Sequence, residues 1–271
     1  MKHYISKAIE SSRPIMMDMT KASAVIDVWK NIDITVDKKA SEVRDMLELM
    51  FGKPREMEIV GNVAVIPIQG VIGKNLSDLE KLCGSCDVDD ISEWVQQAEA
   101  NPEVHSVVFD INSPGGTTAG VPELADQIFG MKKPTLAYTD TECLSAAYYL
   151  GSQAKRLCAS PSADVVNAGV YIAFADVSEA YKMEGVKMEV IKSGEYKAIG
   201  MEGTSLTDKQ RQMLQDDVND THDTFKSAVK RSRKFAKDED MEGQTYTGKK
   251  AAEKGLVTGV YASLADAIMA G

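Results

Sequence analysis

Two adjacent glycines follow an apolar stretch with the composition of a buried strand. The stretch "VHSVVFD" ends at Asp110, and "INSPGGTTAG" continues from residue 111 to residue 120. Glycine allows positive φ angles and lets a ligand approach the backbone closely. The amides of Gly115 and Gly116 could therefore stabilise a negatively charged oxygen, as an oxyanion hole does. The alternative is a tight turn between a strand and a helix, and this motif alone does not decide between the two.

A serine stands at a second junction between a predicted strand and a predicted helix. Ser145 follows the strand "TLAYTD" and precedes Ala146 and Ala147 at the expected start of the helix. A hydroxyl at this place is close to the positive end of the helix dipole, and the amide of the next residue can join an oxyanion hole. This arrangement suits a nucleophile. The alternative is a serine that only caps the helix.

A nucleophilic serine needs a base, and histidine is an unsuitable candidate in this chain. None of His3, His105 and His222 lies in a predicted loop at the end of a strand. A lysine can act instead when its surroundings keep it neutral, which requires burial to lower a reference pKa of about 10.4 by two to three units. The stretch "VIKSGEYKAIG" offers Lys192 and Lys197 at the exit of a predicted strand. The alternative for both is a solvated surface lysine.

The elements that must position these residues alternate between strand and helix. The strands are predicted at "VAVIPIQG", "HSVVFDIN", "PTLAYTD", "RLCAS" and "KMEVIKSG", with helices between them. This alternation indicates β-α-β units and a largely parallel sheet, and therefore an α/β fold. A long charged helix with a sparse apolar stripe is predicted from Thr207 to about Lys237, and a helix, a strand and a last helix close the chain.

The first part of the chain differs in composition from the rest. Apolar residues at helical spacing predict helices at residues 23–31 and 41–52. Gly52 and Pro54 are typical of a helix end. We therefore expect a helical arm over residues 1–57 and one larger domain over residues 58–271.

Composition excludes several classes of protein. The chain has 271 residues, with 31 basic and 41 acidic side chains for a net charge of −10, which argues against binding to nucleic acid. No segment has the length and composition of a membrane span or a signal peptide, so we expect a cytoplasmic protein without a membrane anchor. Cys83 and Cys86 have the spacing of a redox or zinc motif, but no second motif completes a metal site. We expect structural thiols, with a regulatory disulfide as the alternative, and neither a metal nor a cofactor.

Together, the motifs resemble the signal peptide peptidase A family of serine proteases, whose fold is shared with Clp protease and the crotonase enzymes. The resemblance runs from about residue 58 to the end of the chain. It rests on six motifs in the same order: "VAVIPIQGVIG", "INSPGG", "SAAYYLGSQA", "IKSGEYK", "LTDKQRQML" and "YTGKKAAEKGLV".

The resemblance implies a role for each candidate residue. Ser145 corresponds to the nucleophile and Lys197, the last lysine of "KSGEYK", to the general base. Gly115 or Gly116 would donate to the oxyanion together with Ala146. The resemblance also implies a ClpP/crotonase-like fold, a polypeptide substrate, and a homo-oligomeric ring in which the lysine of one subunit meets the serine of the next.

The chain also departs from the family pattern. Many relatives carry "GSIGV" where this chain has "NAGVY", residues 167–171, so a wall of the substrate cleft is expected to differ. The hydrophobic helix that begins the membrane-anchored members is missing. The chain therefore looks more like the soluble, phage-encoded branch thought to process capsid or scaffold proteins, in the cytoplasm of a bacterium or a phage-infected host.

Two other functions remain open at this point. A crotonase-type acyl-CoA enzyme shares the glycine oxyanion hole but uses carboxylates and no serine nucleophile. A non-catalytic assembly protein could keep the fold as a building block. A true Clp protease would need a histidine where this chain has Val170.

Overall fold

The computed structural model describes residues 15–17 and 53–270 of the chain. Its strands are β1 (Ile15–Met17), β2 (Glu58–Val60), β3 (Val63–Gln69), β4 (Ile72–Gly73), β5 (Cys86–Asp87), β6 (Ser106–Asn112), β7 (Gly115–Thr117), β8 (Thr135–Thr139), β9 (Glu142–Leu144), β10 (Arg156–Ala159), β11 (Asp164–Val166), β12 (Thr245–Thr247) and β13 (Gly259–Val260). Its α-helices are α1 (Asp78–Leu82), α2 (Val88–Ala100), α3 (Val121–Phe129), α4 (Ala146–Gly151), α5 (Ser178–Met183), α6 (Asp208–Ser232), α7 (Gly248–Glu253) and α8 (Leu264–Met269).

The largest sheet has six strands in the spatial order β13-β10-β8-β6-β3-β2. Its neighbouring strands are parallel, except that β2 and β3 are antiparallel. The central strands β3 and β6 bury Ile66, Ile68, Phe109 and Ile111 almost completely. Strands covered on both faces are apolar along their length, which is why these segments could be predicted as parallel strands. The predicted α/β class is confirmed.

Local signals set the starts of the two helices that pack together beside this sheet. The Asp87 carboxylate accepts a 2.9 Å hydrogen bond from the Asp89 amide and so caps α2. The helix α3 begins after Gly120, which has a φ of +76°, and carries Pro122 in its first turn. Proline, which has no backbone N–H, fits there because the amides of the first helical turn have no partner within the helix.

The long charged helix is confirmed as α6. Thr207 and Gln210 form a capping box at its start, as their side chains each accept from the other's backbone amide. Phe225 is fully buried and stacks on Tyr149 with a ring-centroid distance of 4.8 Å. The helix ends at Ser232, before the expected residue 237, because the following residue leaves helical geometry.

Two small sheets flank the large one and carry the candidate site. One has the order β1-β7-β4-β5, and the other has the order β12-β11-β9. In the second, Leu144 lies opposite Val166 in the parallel pair of β9 and β11. The strand β7 contains the two glycines, and β9 leads directly into Ser145.

One predicted strand does not form. Residues 187–194, "KMEVIKSG", make no strand in this structure, and the Ile191 side chain is 98% exposed. The local pattern was misleading because a strand also needs a neighbour that pairs with its backbone and covers its apolar face. This expectation was wrong for the isolated chain.

The predicted helical arm can be compared with the structure only in part. Its two helices, at residues 23–31 and 41–52, lie outside the described residues. Among the described residues of the arm, Ile15–Met17 form a strand and residues 53–57 form neither helix nor strand. The domain boundary after residue 57 stays a prediction. Within residues 53–270, no helix is both long enough and apolar enough to cross a membrane.

Candidate active site

The two glycines lie in β7, where close backbone packing requires them. The Ser113 hydroxyl donates a 2.6 Å hydrogen bond to the Gly70 carbonyl and accepts a 3.1 Å bond from the Gly115 amide. Gly115 has a φ of +100°, which other residues rarely adopt. At Gly116, a β-carbon would lie 1.9 Å from the Ile72 carbonyl oxygen. Neither position could accept a side chain without a shift of the backbone.

In the structure the two glycines lie in a buried strand whose lead-in is fixed by hydrogen bonds. The Gly115 amide is already bonded to Ser113, so an oxyanion would compete with that hydroxyl for it. A serine side chain that binds the backbone two residues later is a common turn device. Ser113 is therefore a positioning residue that the spacing "SPGG" could have indicated and that the sequence analysis missed.

Ser145 adopts a strained conformation between β9 and α4. Its φ is +52° and its ψ is −118°, outside the common regions for a residue with a β-carbon. Its amide donates to the Val166 carbonyl at 2.7 Å, and its carbonyl accepts from the Tyr149 amide at 2.8 Å. Strain of this kind persists only where the surrounding structure determines it, and it is frequent at active sites.

The hydroxyl of Ser145 is buried and does not cap the helix. The residue is 1% exposed, and within the described part of the chain its Oγ has no hydrogen-bond partner. The first turn of α4 receives no side-chain hydrogen bond from it. The capping role, which was the alternative for this serine, does not apply. A buried hydroxyl without a partner needs another explanation, such as a catalytic role.

The glycine strand and the serine turn are held side by side by backbone contacts. Ser113 forms a parallel bridge with Cys143. The Ser113 amide donates to Glu142 at 3.0 Å, and its carbonyl accepts from the Leu144 amide at 3.1 Å. The segment before Gly115 therefore runs directly beside the strand that ends at Ser145.

A second strained turn lies behind the serine. Val166 and Asn167 have φ angles of +86° and +47°. The Asn167 side-chain amide donates to the Gly243 carbonyl at 3.0 Å and to the Thr245 hydroxyl at 3.2 Å. Asn167 thus anchors the turn whose Val166 carbonyl accepts from the Ser145 amide. A positive φ at a β-branched valine has no signal in the sequence.

The helix after Ser145 is anchored by its two tyrosines. The Tyr148 hydroxyl donates a 2.8 Å hydrogen bond to the Leu256 carbonyl. Burial raises the pKa of Tyr149 to about 12, so this phenol stays protonated. Tyr149 packs against Phe225 of α6. The motif "SAAYY" therefore contains both the candidate nucleophile and the groups that fix its helix.

The single chain does not bring the two candidate lysines to Ser145. Lys197 is exposed, in a turn where its amide donates to Gly194 at 3.2 Å. The Lys192 ammonium donates to the Glu195 carbonyl at 2.8 Å. The same carbonyl accepts from Gln210 at 3.1 Å, which attaches this segment to the start of α6. Neither lysine is a partner of the Ser145 hydroxyl in residues 53–270.

A cavity of about 370 Å³ lies beside the segment that leads into β7. Its lining includes Gly70, Asn112, Pro114 and Glu142, whereas Ser145 does not line it. The cavity offers space close to the glycine strand but does not reach the nucleophile.

The thiols near the site are unsuited to nucleophilic or metal chemistry. None of the cysteines within residues 53–270 forms a disulfide. Burial raises the pKa of Cys86 to about 12 and that of Cys143 further still, so both stay protonated. Among the described residues, no group of three or more His, Cys, Asp or Glu side chains could hold a metal ion.

The sequence profile described as Peptidase family S49 matches residues 128–269, which is more than half of the chain. The chain belongs to peptidase family S49. This membership confirms the predicted family. The matched range includes Ser145 and Lys197, and the glycine strand lies before it.

Two relatives of this chain come from phages. The capsid assembly protease C of Escherichia phage lambda is 28% identical over 206 residues, which are 74% of this chain and 47% of that protein. The head-tail preconnector protein GP5 of Enterobacteria phage P21 is 28% identical over 217 residues, which are 79% of this chain and 42% of that protein. The chain thus spans about half the length of these relatives.

The solved structures similar to this fold include a ClpP1 mutant from Listeria monocytogenes. The two share 12% sequence identity with a TM-score of 0.48, over 74% of this chain and 92% of that one.

Proposed function

We propose that this chain is a serine endopeptidase in which Ser145 is the nucleophile and Lys197 the general base. The observation that carries the proposal is the turn at Ser145, which combines a strained backbone with a buried hydroxyl that has no partner among the described residues. A structural serine would relax or find a partner. Membership in a peptidase family supports the same role.

The proposed reaction is a two-step acyl transfer. The neutral Lys197 amine accepts the proton of the Ser145 hydroxyl while its Oγ attacks the carbonyl carbon of a peptide bond. The resulting oxyanion is stabilised by the amides of Gly116 or Gly115 and of Ala146. The C–N bond then breaks, the lysine returns the proton to the leaving amine, and water hydrolyses the acyl-enzyme by the same route.

We further propose that Lys197 acts on the serine of a neighbouring subunit in a homo-oligomeric ring. The segment that carries Lys197 exposes large apolar side chains, with Met183 84%, Ile191 98% and Tyr196 46% exposed. Large apolar side chains left exposed on one segment favour a role for that segment in a protein interface. Burial there would also remove water from the lysine, which favours its neutral form.

The substrate is proposed to be a polypeptide, and specifically a protein of phage head assembly. The support is the similarity to two phage proteins, a capsid assembly protease and a head-tail preconnector protein. The acyl-CoA enzyme and the non-catalytic assembly protein lack this support from relatives. Neither function needs a strained serine whose hydroxyl has no partner among the described residues.

A fluorophosphonate probe tests the proposed nucleophile directly. We expect one covalent adduct on the peptide that contains Ser145, identified by mass spectrometry, and no adduct in Ser145→Ala. Ser152→Ala is the matched control, because Ser152 is also buried but its hydroxyl donates to the Tyr149 carbonyl at 2.8 Å. An acyl-CoA enzyme or a non-catalytic protein would give no adduct on Ser145.

A further inference from the structure

The outer edge of the glycine strand is occupied by the chain itself. On one side β7 pairs in parallel with β4, with Ile72 opposite Gly116. On the other side it pairs antiparallel with β1, with Met17 opposite Gly115. The order β1-β7-β4-β5 places β1 at the edge of the sheet. β7 therefore has a strand on both sides.

This edge belongs to the strand that carries the proposed oxyanion donors. The parallel bridge between Ser113 and Cys143 holds the lead-in to β7 beside β9, the strand that leads to Ser145. Met17 lies opposite Gly115, two residues after that bridge, and Met16 lies opposite Gly116. The backbone of residues 15–17 therefore occupies the strand edge at the two glycines.

A strand edge made of glycine is suited to bind peptides of many sequences. An extended peptide that adds to a sheet edge is held by main-chain hydrogen bonds. Gly115 and Gly116 contribute no side chains to such a pairing, so it depends little on the sequence of the partner. The strand β1 has only three residues, so it can form few main-chain hydrogen bonds with that edge.

We propose that Ile15–Met17 occupies the peptide-binding edge of the active site and inhibits it, so that a substrate binds only after this strand is displaced. The inhibitory effect rests on the proposed peptidase function. The competition between β1 and a peptide for the same strand edge can be measured as binding alone. It predicts that peptide affinity depends on the backbone of residues 15–17 rather than on their side chains.

The test compares three full-length chains that all carry Ser145→Ala, which prevents cleavage. The first has no further change. The second adds Met16→Pro and Met17→Pro. Proline has no backbone N–H, so neither position can donate a hydrogen bond to β7, whichever of the two does so in the native chain. The third adds Met16→Ala and Met17→Ala, which keep both amides and serve as the matched control.

The probe is a fluorescent synthetic peptide with the sequence of residues 12–20, SRPIMMDMT. By fluorescence anisotropy we expect the proline chain to bind it at least about tenfold more tightly than the other two, since a site that is rarely open binds with a reduced apparent affinity. Hydrogen exchange should show faster exchange of the amides of residues 115–117 in the proline chain when no peptide is present. Equal affinity and equal exchange in all three chains would overturn the proposal.

A second variant covers the case in which the proline chain does not fold. Ile15 lies opposite Thr117 in the antiparallel pair, so Ile15→Cys with Thr117→Cys can form a disulfide that holds β1 in place. In a chain with Ser145 intact, oxidation should suppress labelling by the fluorophosphonate and reduction should restore it. Labelling that is the same in both states would contradict the inference. Tighter peptide binding by the proline chain, together with no labelling of Ser145 in the reduced form of the disulfide variant, would support β1 displacement while refuting the proposed nucleophile.

Discussion

The Ser145 amide donates a 2.7 Å hydrogen bond to the Val166 carbonyl, and both residues have a positive φ. Each such conformation costs about 1–3 kcal/mol, so the bond joins two strained turns. The strain is maintained by the parallel pairing of Leu144 with Val166, which places the end of β9 beside the end of β11. The candidate nucleophile is thus presented by two adjacent strands, and its position does not depend on α4 alone.

Removal of the Ser145 hydroxyl should abolish activity and increase stability. A buried hydroxyl without a partner lowers the free energy of unfolding by about 1–3 kcal/mol, and alanine removes that penalty. We expect Ser145→Ala to raise the free energy of unfolding by about 1 kcal/mol when it is made in a Lys197→Ala chain, where no lysine can pair with the hydroxyl. Chemical denaturation measures this. In the native background, peptide cleavage should fall by about three orders of magnitude or more.

Ser152→Ala is the control for that measurement. Its hydroxyl donates to the Tyr149 carbonyl at 2.8 Å and accepts from Gln153 at 2.7 Å, so its loss should destabilise the chain by about 1 kcal/mol. If Ser145→Ala destabilised the chain as much as Ser152→Ala does, Ser145 would have a structural partner and the proposed role would lose its support.

Gly116→Ala should disrupt the glycine strand β7. The new β-carbon would lie 1.9 Å from the Ile72 carbonyl oxygen, so the backbone of β7 must move. We expect a loss of about 1–3 kcal/mol in stability, as for overpacked cores, together with a large decrease in the rate of fluorophosphonate labelling. Gly130→Ala is the control, because its nearest contact is 3.3 Å and its φ is −77°. Labelling of Gly116→Ala at the native rate would show that the glycine strand does not take part.

Asn167 should act on catalysis through the turn behind Ser145. Asn167→Ala loses the side-chain bonds to Gly243 and Thr245 and places alanine at a φ of +47°. Asn167→Gly loses the same bonds but accepts the positive φ. We therefore expect the rate of Ser145 labelling to decrease in both variants, and more in Asn167→Ala. Equal native rates, measured with time-resolved mass spectrometry, would show that the turn does not position the serine.

The sequence could predict elements whose signals are local. The start of α6 has its capping pair Thr207 and Gln210, and the buried strands β3 and β6 are continuous apolar runs. The strand expected at residues 187–194 does not form. It would need a neighbouring strand to pair with its backbone and other residues to cover its apolar face, and local sequence cannot show whether these are present. The pairing of Ile15–Met17 with the glycine strand joins segments that are far apart in the chain, so no local pattern could reveal it. The same holds for Val166, whose positive φ is imposed by the neighbouring strands β9 and β12.

Lys197→Ala should abolish cleavage without a loss of stability in the isolated subunit, because its side chain is exposed there. Lys192→Ala, five positions earlier in the same segment, is the matched control and should keep most of the activity. In the native protein kcat/KM should rise with pH, since only a neutral lysine accepts the proton. A profile that is flat from weakly acidic to weakly alkaline pH, or activity that depends on Lys192 instead, would show that the base is misassigned.

Mixed oligomers can show whether the active site is shared between subunits. Ser145→Ala and Lys197→Ala chains are each expected to be inactive alone. If Lys197 of one subunit serves Ser145 of the next, rings refolded from an equal mixture will contain some interfaces that pair an intact lysine with an intact serine. Such rings should recover part of the native activity, whereas a site contained within one chain would recover none.

Native mass spectrometry confirms that the rings are mixed, and a mixture of Ser145→Ala with Ser145→Ala/Lys197→Ala is the control that should stay inactive. Exposure of Ile191 and Tyr196 in the single chain leads us to expect recovery, because those side chains would be buried at the interface that brings Lys197 to its serine. Mixed rings without activity would place the base, whichever residue it is, in the same chain as Ser145.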